Sequence, residues 1–576
     1  MRIDKVYIED FKNLKKFSID LDEAQMNTVL LGQNATGKSN FIEALILIFK
    51  YLDLKQDPPK NLNFHYRIEY RVRQFRIIVD NLADKYIFEI FENSELDRKK
   101  WTKLAKPVTK TDFFRNKDLY LPKYVFTYYS GLSDRLDKIF WKHQQNFYNE
   151  IKKADFDRKK LDELRRLFYV KQIHSFFVLL AFFALPKIES KTKQFLNDVL
   201  GIEDLESVLF VLKRPSWRGN GDERFFGAEG LVSSFLSVLW KFSLAPIYNT
   251  ETVYPDFRSK GVKQDTLYLY ITGKKKLNDF AMEFFKASKI SPNNTDLFKA
   301  LESTYISELL EEVKVKVKKK IDGEVKFKEL SEGEQQLLTV IGLLIFTKEE
   351  ESLVLLDEPD THLNPLWKYD YLQYLTTYVK SKNSEENDFN SDPEEDLTTQ
   401  IIINTHDPLV IGSMDKSQVR MFGKKIFRSG IDPDQQFLDR FEELRYNGFN
   451  QAIEPDRSPK GMGVAGILTS EMFGLPSILD KETQGKLNRK RYLQGRAMRE
   501  RLNATESDEY KTLKSELEGY GFYEETEDFW FKEYIAEMSK LEAFQKVDFT
   551  DEEREKLSTR SKEVIQKILA RRKDKT

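Results

Sequence analysis

One octapeptide constrains this chain more than anything else in it: Gly32-Gln33-Asn34-Ala35-Thr36-Gly37-Lys38-Ser39, with the spacing G-x-x-x-x-G-K-[ST]. Thr28-Val29-Leu30-Leu31 ahead of it is a short apolar run that reads as a buried strand. Asn40 to Tyr51 behind it is an apolar helical run. A glycine-bearing turn between strand and helix curls so that its N–H groups converge on phosphate oxygens, and the helix N-terminus adds positive potential. Lys38 is set to reach the β- and γ-phosphates of a nucleoside triphosphate, and Ser39 to hold Mg²⁺. The motif commits the first part of the chain to an α/β fold with a triphosphate site.

Two further strands end in related chemistry. Leu353-Val354-Leu355-Leu356-Asp357-Glu358-Pro359 is apolar until it terminates in two carboxylates. Asp357 suits a metal-holding role through water, and Glu358 suits polarisation of an attacking water. Gln400-Ile401-Ile402-Ile403-Asn404-Thr405-His406 is a third such strand, ending in a histidine, the side chain that titrates nearest neutrality.

At 576 residues the chain has room for two or three domains. Its formal net charge is −1, so it is no polycation and any nucleic-acid contact needs a local patch. It has no cysteine, which excludes disulfides, zinc–cysteine sites and thiol catalysis and suits a reducing, cytoplasmic setting. The longest apolar run, Phe176 to Leu185, falls far short of the ~20 residues that span a bilayer, so no membrane partner is expected.

The reading divides the chain into four parts. Residues 1–130 form one lobe with the triphosphate loop, and 131–310 a mostly helical insertion. Residues 311–428 complete the core, and 429–576 are a mainly helical C-terminal extension that binds a partner. The insertion carries Pro186, Pro215, Pro246, Pro255 and Pro292 and no sustained heptads, so it predicts a compact domain and no coiled-coil arm. Val313 to Lys318 alternates strictly, as a strand with one apolar and one basic face does. Lys213 to Gly219 is a basic loop around Trp217, able to contact nucleic acid or to be an anchored surface loop. Lys486 to Arg501 holds seven basic residues and one acid, and is the best candidate nucleic-acid patch; the alternative is a solvated face against an acidic partner. Ser381 to Leu397 is acidic and polar and reads as a mobile loop. Thr550-Asp551-Glu552-Glu553 matches a helix capping box.

Leu330-Ser331-Glu332-Gly333-Glu334-Gln335-Gln336 adds the decisive resemblance. Taken in order with the P-loop, the Leu355-to-Pro365 segment and the strand into His406, it resembles the ABC-type heads of the RecF and SMC class. Among these it resembles the ABC-type AAA ATPases of bacterial anti-phage defence operons. That resemblance implies ATP and Mg²⁺ as ligands and a homodimer or higher oligomer of facing heads. Carried over motif by motif, it implies that Gly32, Asn34, Gly37, Lys38 and Ser39 hold the nucleotide, and that Ser39 and Asp357 serve the metal. It implies Glu358 and His406 as the catalytic pair, His406 as the switch that contacts the γ-phosphate, and Asp360 to Pro365 as the D-loop. Ser331, Gly333 and Glu334 would close on the ATP of the opposite head. Such heads carry a glutamine loop after a strand like Tyr124 to Tyr129. Here Ser130-Gly131-Leu132-Ser133 follows instead, and no residue takes that role.

Tyr128-Tyr129-Ser130-Gly131 and Gly466 to Pro476 are similar to the Septu ATPase family (PtuA-like), including its retron-associated form. This implies a separate HNH nuclease partner (PtuB-like) and, in retron versions, a reverse transcriptase with its RNA–DNA product. No nuclease is expected on this chain. None of its five histidines follows His406, and the sole Asp-x-Asp candidate after the core, Asp432-Pro433-Asp434, follows no buried strand. The reading from another class is a RecF-like DNA-repair ATPase without a nuclease partner. A third is a scaffold with ATP as a structural ligand, which the intact Glu358 argues against.

Overall fold

Apolar runs without alternation suit strands buried on both faces, and the runs that carry the motifs lie side by side in one sheet. The structure is a computed structural model. It describes the chain apart from residues 22–24, 33, 63, 84, 95–96, 105–106, 132, 154–165, 187, 189, 218, 255, 259, 322–323, 347–350, 380–398, 425–449, 476, 523–528, 547–550 and 574–576. The acidic segment from Ser381 to Leu397, Asp432-Pro433-Asp434 and Thr550 therefore lie outside the described residues. Two units are distinguished, Met1–Met462 and Gly463–Thr576.

In the first unit the chain opens with β1 (Arg2–Phe11) and β2 (Leu14–Asp20), then β3 (Asn27–Gly32), the helix Lys38–Asp53, and β4 (His65–Val72), β5 (Phe75–Asp80), β6 (Ile87–Ser94) and β7 (Asp97–Lys103). β8 (Val125–Tyr129), β9 (Leu167–Val170), β15 (Leu353–Asp357), β16 (Gln400–Asn404), β17 (Val419–Lys424) and β18 (Asn450–Ile453) follow further on. The central sheet runs β18-β17-β3-β16-β15-β8-β9. It is parallel throughout except where β18 turns back along β17. Register aligns the carboxyl ends: Asp357 lies opposite Asn404 on one side and Tyr129 on the other, and Asn404 opposite Leu30. In open α/β sheets the ligand crevice lies at that edge.

A second, antiparallel sheet runs β2-β1-β4-β5-β6-β7. Its strands alternate, as β4 does with Tyr66, Ile68, Tyr70 and Val72 inward. Those inward residues share one core with Phe41, Ile42, Leu45 and Ile48 of the helix Lys38–Asp53 and with Leu355 and Ile402 of the central sheet. Gln400 ties the layers by polar contact. Its Oε1 accepts from the Ile3 N–H at 2.8 Å and its Nε2 donates to the Ile3 carbonyl at 3.2 Å.

The 131–310 segment is less uniformly helical than expected. It has the helices Asp137–Ile151, His174–Ala184, Gly230–Phe242, Gly273–Ser288 and Asn294–Ile306, and it also has strands. β10 (Ile202–Lys213), β11 (Ile247–Val253) and β12 (Val262–Thr272) join β13 (Leu310–Ile321) and β14 (Glu324–Lys328) in a five-stranded antiparallel sheet ordered β11-β12-β10-β13-β14. β11 is exposed along its whole length, and β12 alternates only in its second half, where Leu267, Leu269 and Ile271 are buried. Val313, Val315 and Val317 of β13 are buried, as their alternation predicts, and β13 pairs with β10 in this sheet. Trp217 is anchored, its Nε1 donating to the Ser307 carbonyl at 2.9 Å. Arg214 pairs with Asp265 at 2.8 Å, which leaves an anchored loop in place of a free stacking platform.

The second unit comprises the helices Gly463–Thr469, Lys481–Ala497, Ala504–Gly519, Phe529–Met538 and Asp551–Lys573. Three of the seven basic residues of Lys486–Arg501 are paired with acids of the same unit. Lys486 meets Glu482 and Glu516, Arg489 makes a two-point contact with Glu509, and Arg496 pairs with Glu506. The acidic partner of this helix is largely the neighbouring helix Ala504–Gly519.

Candidate nucleotide-binding site

The loop between β3 and the helix Lys38–Asp53 is shaped by three left-handed residues: Gly32 at φ 145, Ala35 at φ 64 and Gly37 at φ 109. A Cβ on Gly32 would stand 2.4 Å from the Phe422 carbonyl oxygen of β17, so only glycine fits. Ala35 has no such freedom and is held by a prop. Its carbonyl accepts from Asn13 Nδ2 at 2.9 Å, and Asn13 Oδ1 accepts from Asn40 Nδ2 at 2.7 Å. Asn34 is exposed at the tip of the loop. Lys38 is buried and folds back, Nζ donating to the Gly32 carbonyl at 2.8 Å. Burial lowers its pKa to about 8, outweighing the attraction of Asp357 and Glu358.

Ser39 begins the metal side. Its Oγ donates to Asp357 Oδ1 at 3.1 Å, and Asn404 Nδ2 donates to the same oxygen and lies 3.4 Å from Ser39 Oγ. Asp357 is fully buried, and its Oδ2 makes no hydrogen bond. Desolvation raises its pKa, opposed by Asn404, Ser39 and Arg135. A buried carboxylate oxygen left unsatisfied beside a hydroxyl is the kind of group a cation relieves. One carboxylate plus one hydroxyl also suits Mg²⁺, which keeps waters and takes phosphate oxygens. The residues present fit the metal.

Glu358 follows Asp357 with φ 54, a conformation uncommon for a non-glycine residue. Its N–H donates to the Asn404 carbonyl at 2.8 Å, which turns the side chain out of the strand. Glu358 Oε1 lies 3.6 Å from His406 Nε2, and both side chains are about 40 % exposed, 43 % and 38 %. Burial and the nearby Lys38 lower the His406 pKa against the pull of Asp357, so the imidazole is neutral at pH 7. Behind them Asp360 is buried. It accepts from Thr405 Oγ1 at 3.0 Å, and its pKa is raised to about 6, chiefly by desolvation.

Ser331, Gly333 and Glu334 stand apart from this cluster, at the start of the helix Glu332–Leu337. Ser331 is its N-cap in a reciprocal capping box with Glu334. Glu334 Oε2 accepts from the Ser331 N–H at 2.8 Å, while Oε1 pairs with the buried Lys319 of β13. A Cβ on Gly333 would meet the His362 carbonyl oxygen at 2.9 Å.

Several contributors carried no motif. Asn404 was visible only as the polar end of an apolar strand. Asn13 and Lys319 act across long sequence separations. Gln172, just past the end of β9, donates to Gln335 Oε1 at 2.8 Å and so touches the signature helix, though nothing in its own surroundings marked it.

A protein-family model described as "AAA domain, putative AbiEii toxin, Type IV TA system" matches residues 28–412. No curated protein shows significant similarity to the chain. Among solved structures, the SMC head domain from Thermotoga maritima is similar at 12 % identity, covering 79 % of this chain and 99 % of that one, with a TM-score of 0.27. The Smc head with an extended coiled coil bound to the C-terminal domain of ScpA, from Pyrococcus furiosus, is similar at 13 % identity over 77 % and 99 %, TM-score 0.28. The RecF–ATP structure gives 15 % identity over 73 % and 95 %, TM-score 0.23. At these scores the structural likenesses add nothing to the assignment, which rests on the family match and on the site. Among the described residues no helix is long and apolar enough to cross a membrane. The family model spans well over half of the chain, and the chain belongs to that family of AAA domains.

Proposed function

We propose that this protein is an ATP-hydrolysing switch whose heads pair head to tail and regulate a separate nuclease in anti-phage defence. The observation that carries the ATPase part is the unsatisfied Asp357 Oδ2 beside Ser39, flanked by the Glu358–His406 pair. Mg²⁺ held by Ser39 and Asp357 would neutralise phosphate charge. Lys38 would leave the Gly32 carbonyl for the β- and γ-phosphates, and the loop N–H groups would bind the phosphate chain. Glu358, turned out of the strand, would orient the attacking water, and neutral His406 would donate to a γ-phosphate oxygen. Ser331, Gly333 and Glu334 are proposed to cover the ATP of a second head. A triphosphate between the heads would favour closure, and its hydrolysis would remove that advantage.

The defence part is supported by the resemblance of the Tyr128-to-Gly131 and Gly466-to-Pro476 segments to Septu ATPases. It also agrees with the toxin named in the family description. An HNH nuclease is the proposed partner, and a reverse transcriptase with its RNA–DNA the further one. The test has two arms. Glu358→Gln should reduce ATP turnover roughly 10²- to 10⁴-fold while ATP binding persists; unchanged turnover would remove Glu358 from the reaction. Co-purification with the products of neighbouring genes should retain an HNH nuclease. A dimer that retains only DNA would move the assignment to a repair-type head.

A further inference from the structure

The segment after β8 occupies the place where a coupling loop was expected and no glutamine was found. Ser130 still docks there: its N–H donates to the Asp357 carbonyl at 3.2 Å, and its Oγ lies 3.0 Å from Thr361 Oγ1. Five residues on, Arg135 sends its guanidinium back into the site just before the helix Asp137–Ile151 begins. The guanidinium stands 5.6 Å from the centre of the Tyr129 ring, a cation–π distance. Its Nε is 3.9 Å from Glu43 Oε2, one helical turn beyond Ser39, and its Nη2 is 3.8 Å from Asp357 Oδ2.

One atom of that last contact, Asp357 Oδ2, is buried without a hydrogen bond, and so is the Nε of the same guanidinium. A guanidinium and a carboxylate that intend to pair do so at about 2.7–2.9 Å, often through two parallel bonds. Here they lie 3.8 Å apart, beyond hydrogen-bond distance, so the guanidinium stands beside the metal-side carboxylate without being bonded to it. Glu43 is not a competing anchor, because both of its oxygens already accept from Lys12 Nζ at 2.6 Å. The side chain is about one-third exposed, which leaves it room to turn.

We infer that Arg135 is a phosphate-reading residue of the ATP site, supplied by the same head, and that it takes the coupling place left without a glutamine. With the γ-phosphate present, the planar fork binds its oxygens. With that phosphate gone, the guanidinium returns to the neighbourhood of Asp357. Since Arg135 lies two residues ahead of the helix Asp137–Ile151, its position reports nucleotide state to the 131–310 segment.

This inference rests on the ATP-site reading, and the test separates the two. Dissociation constants for Mg–ATP and Mg–ADP are measured by calorimetry for the wild-type chain, Arg135→Ala and Arg135→Lys. The expected result is a weakening of ATP binding by tenfold or more in Arg135→Ala, with ADP binding changed less than twofold and partial recovery in Arg135→Lys. Equal loss for both nucleotides, or no loss, while the wild type binds ATP, overturns the role of Arg135 and leaves the ATP site standing. A folded wild-type chain that binds neither nucleotide overturns the ATP-site reading itself.

Discussion

The P-loop cluster and the signature turn are both built from short polar segments at helix N-termini, yet they are finished in opposite ways. Around the P-loop, one buried carboxylate oxygen, Asp357 Oδ2, has no hydrogen bond and two side chains, Glu358 and His406, are open to solvent. Lys38 bonds to its own loop. Around the signature Ser331 and Glu334 are satisfied within the chain, and the buried Gln336 Nε2 is the exception. Ser331 and Glu334 cap each other, and Lys319 holds the remaining oxygen of Glu334. The first region is arranged to gain a ligand. The second is closed by bonds within its own chain at Ser331 and Glu334. A head-to-tail dimer needs one of each.

The strongest way to break this contrast is to damage the regions in different subunits. Ser331→Arg should abolish turnover while one head still binds ATP with unchanged affinity, because Ser331 lies outside the P-loop cluster of its own chain. Lys38→Ala should abolish both. Mixed in equal amounts, the two inactive variants should recover about a quarter of wild-type turnover. Half of the dimers are then mixed, and each of those has one site with an intact P-loop facing an intact signature. No recovery would mean that the signature serves its own head or none.

Lys319→Met is a smaller perturbation directed at the signature half. Lys319 is buried, so its removal leaves Glu334 without the cation behind it. Breaking a buried pair from one side costs about 3 kcal/mol or more when both partners are enclosed. The expected outcome is a lowered melting temperature and reduced turnover, with ATP affinity of the single head unchanged. A variant of normal stability would show that the capping box alone holds the turn.

How much of this was legible beforehand divides along the same line. Lys38, Ser39, Asp357 and Glu358 lie in contiguous motifs whose strand and helix neighbours are also contiguous, so local sequence sufficed. Asn404 meets Asp357 only because two parallel strands align at their ends, a fact of register that spacing does not encode. Asn13 braces Ala35 from the turn between two strands of another sheet, and Arg135 reaches Asp357 from a stretch with no motif. For the basic run Lys486–Arg501, charge counting sees one helix and not the acidic helix that pairs with part of it. In the 131–310 segment β11 buries nothing and so has no apolar face to mark it, while the alternation of Leu267, Leu269 and Ile271 in β12 is masked by the tyrosines between them.

The smallest expected effect concerns the P-loop half and its protons. In the free head Lys38 has a pKa lowered to about 8 by burial. A bound triphosphate surrounds the ammonium with negative charge and raises that value. Binding then favours the protonated amine. Below pH 8 the free head already carries the proton, and affinity is insensitive to pH. Above it the free head has lost the proton and must regain it on binding, so affinity falls, by up to about tenfold per pH unit. His406 does not add to this limb, because its pKa is lowered from the ordinary value and it is neutral throughout the range. Titration of Mg–ATP at pH 7, 8 and 9, in buffers of different ionisation enthalpy, should show proton uptake that grows with pH. Uptake that stays at zero across the range would mean that Lys38 keeps its charge in the free head, and that the P-loop half is better satisfied without ligand than its hydrogen bonds suggest.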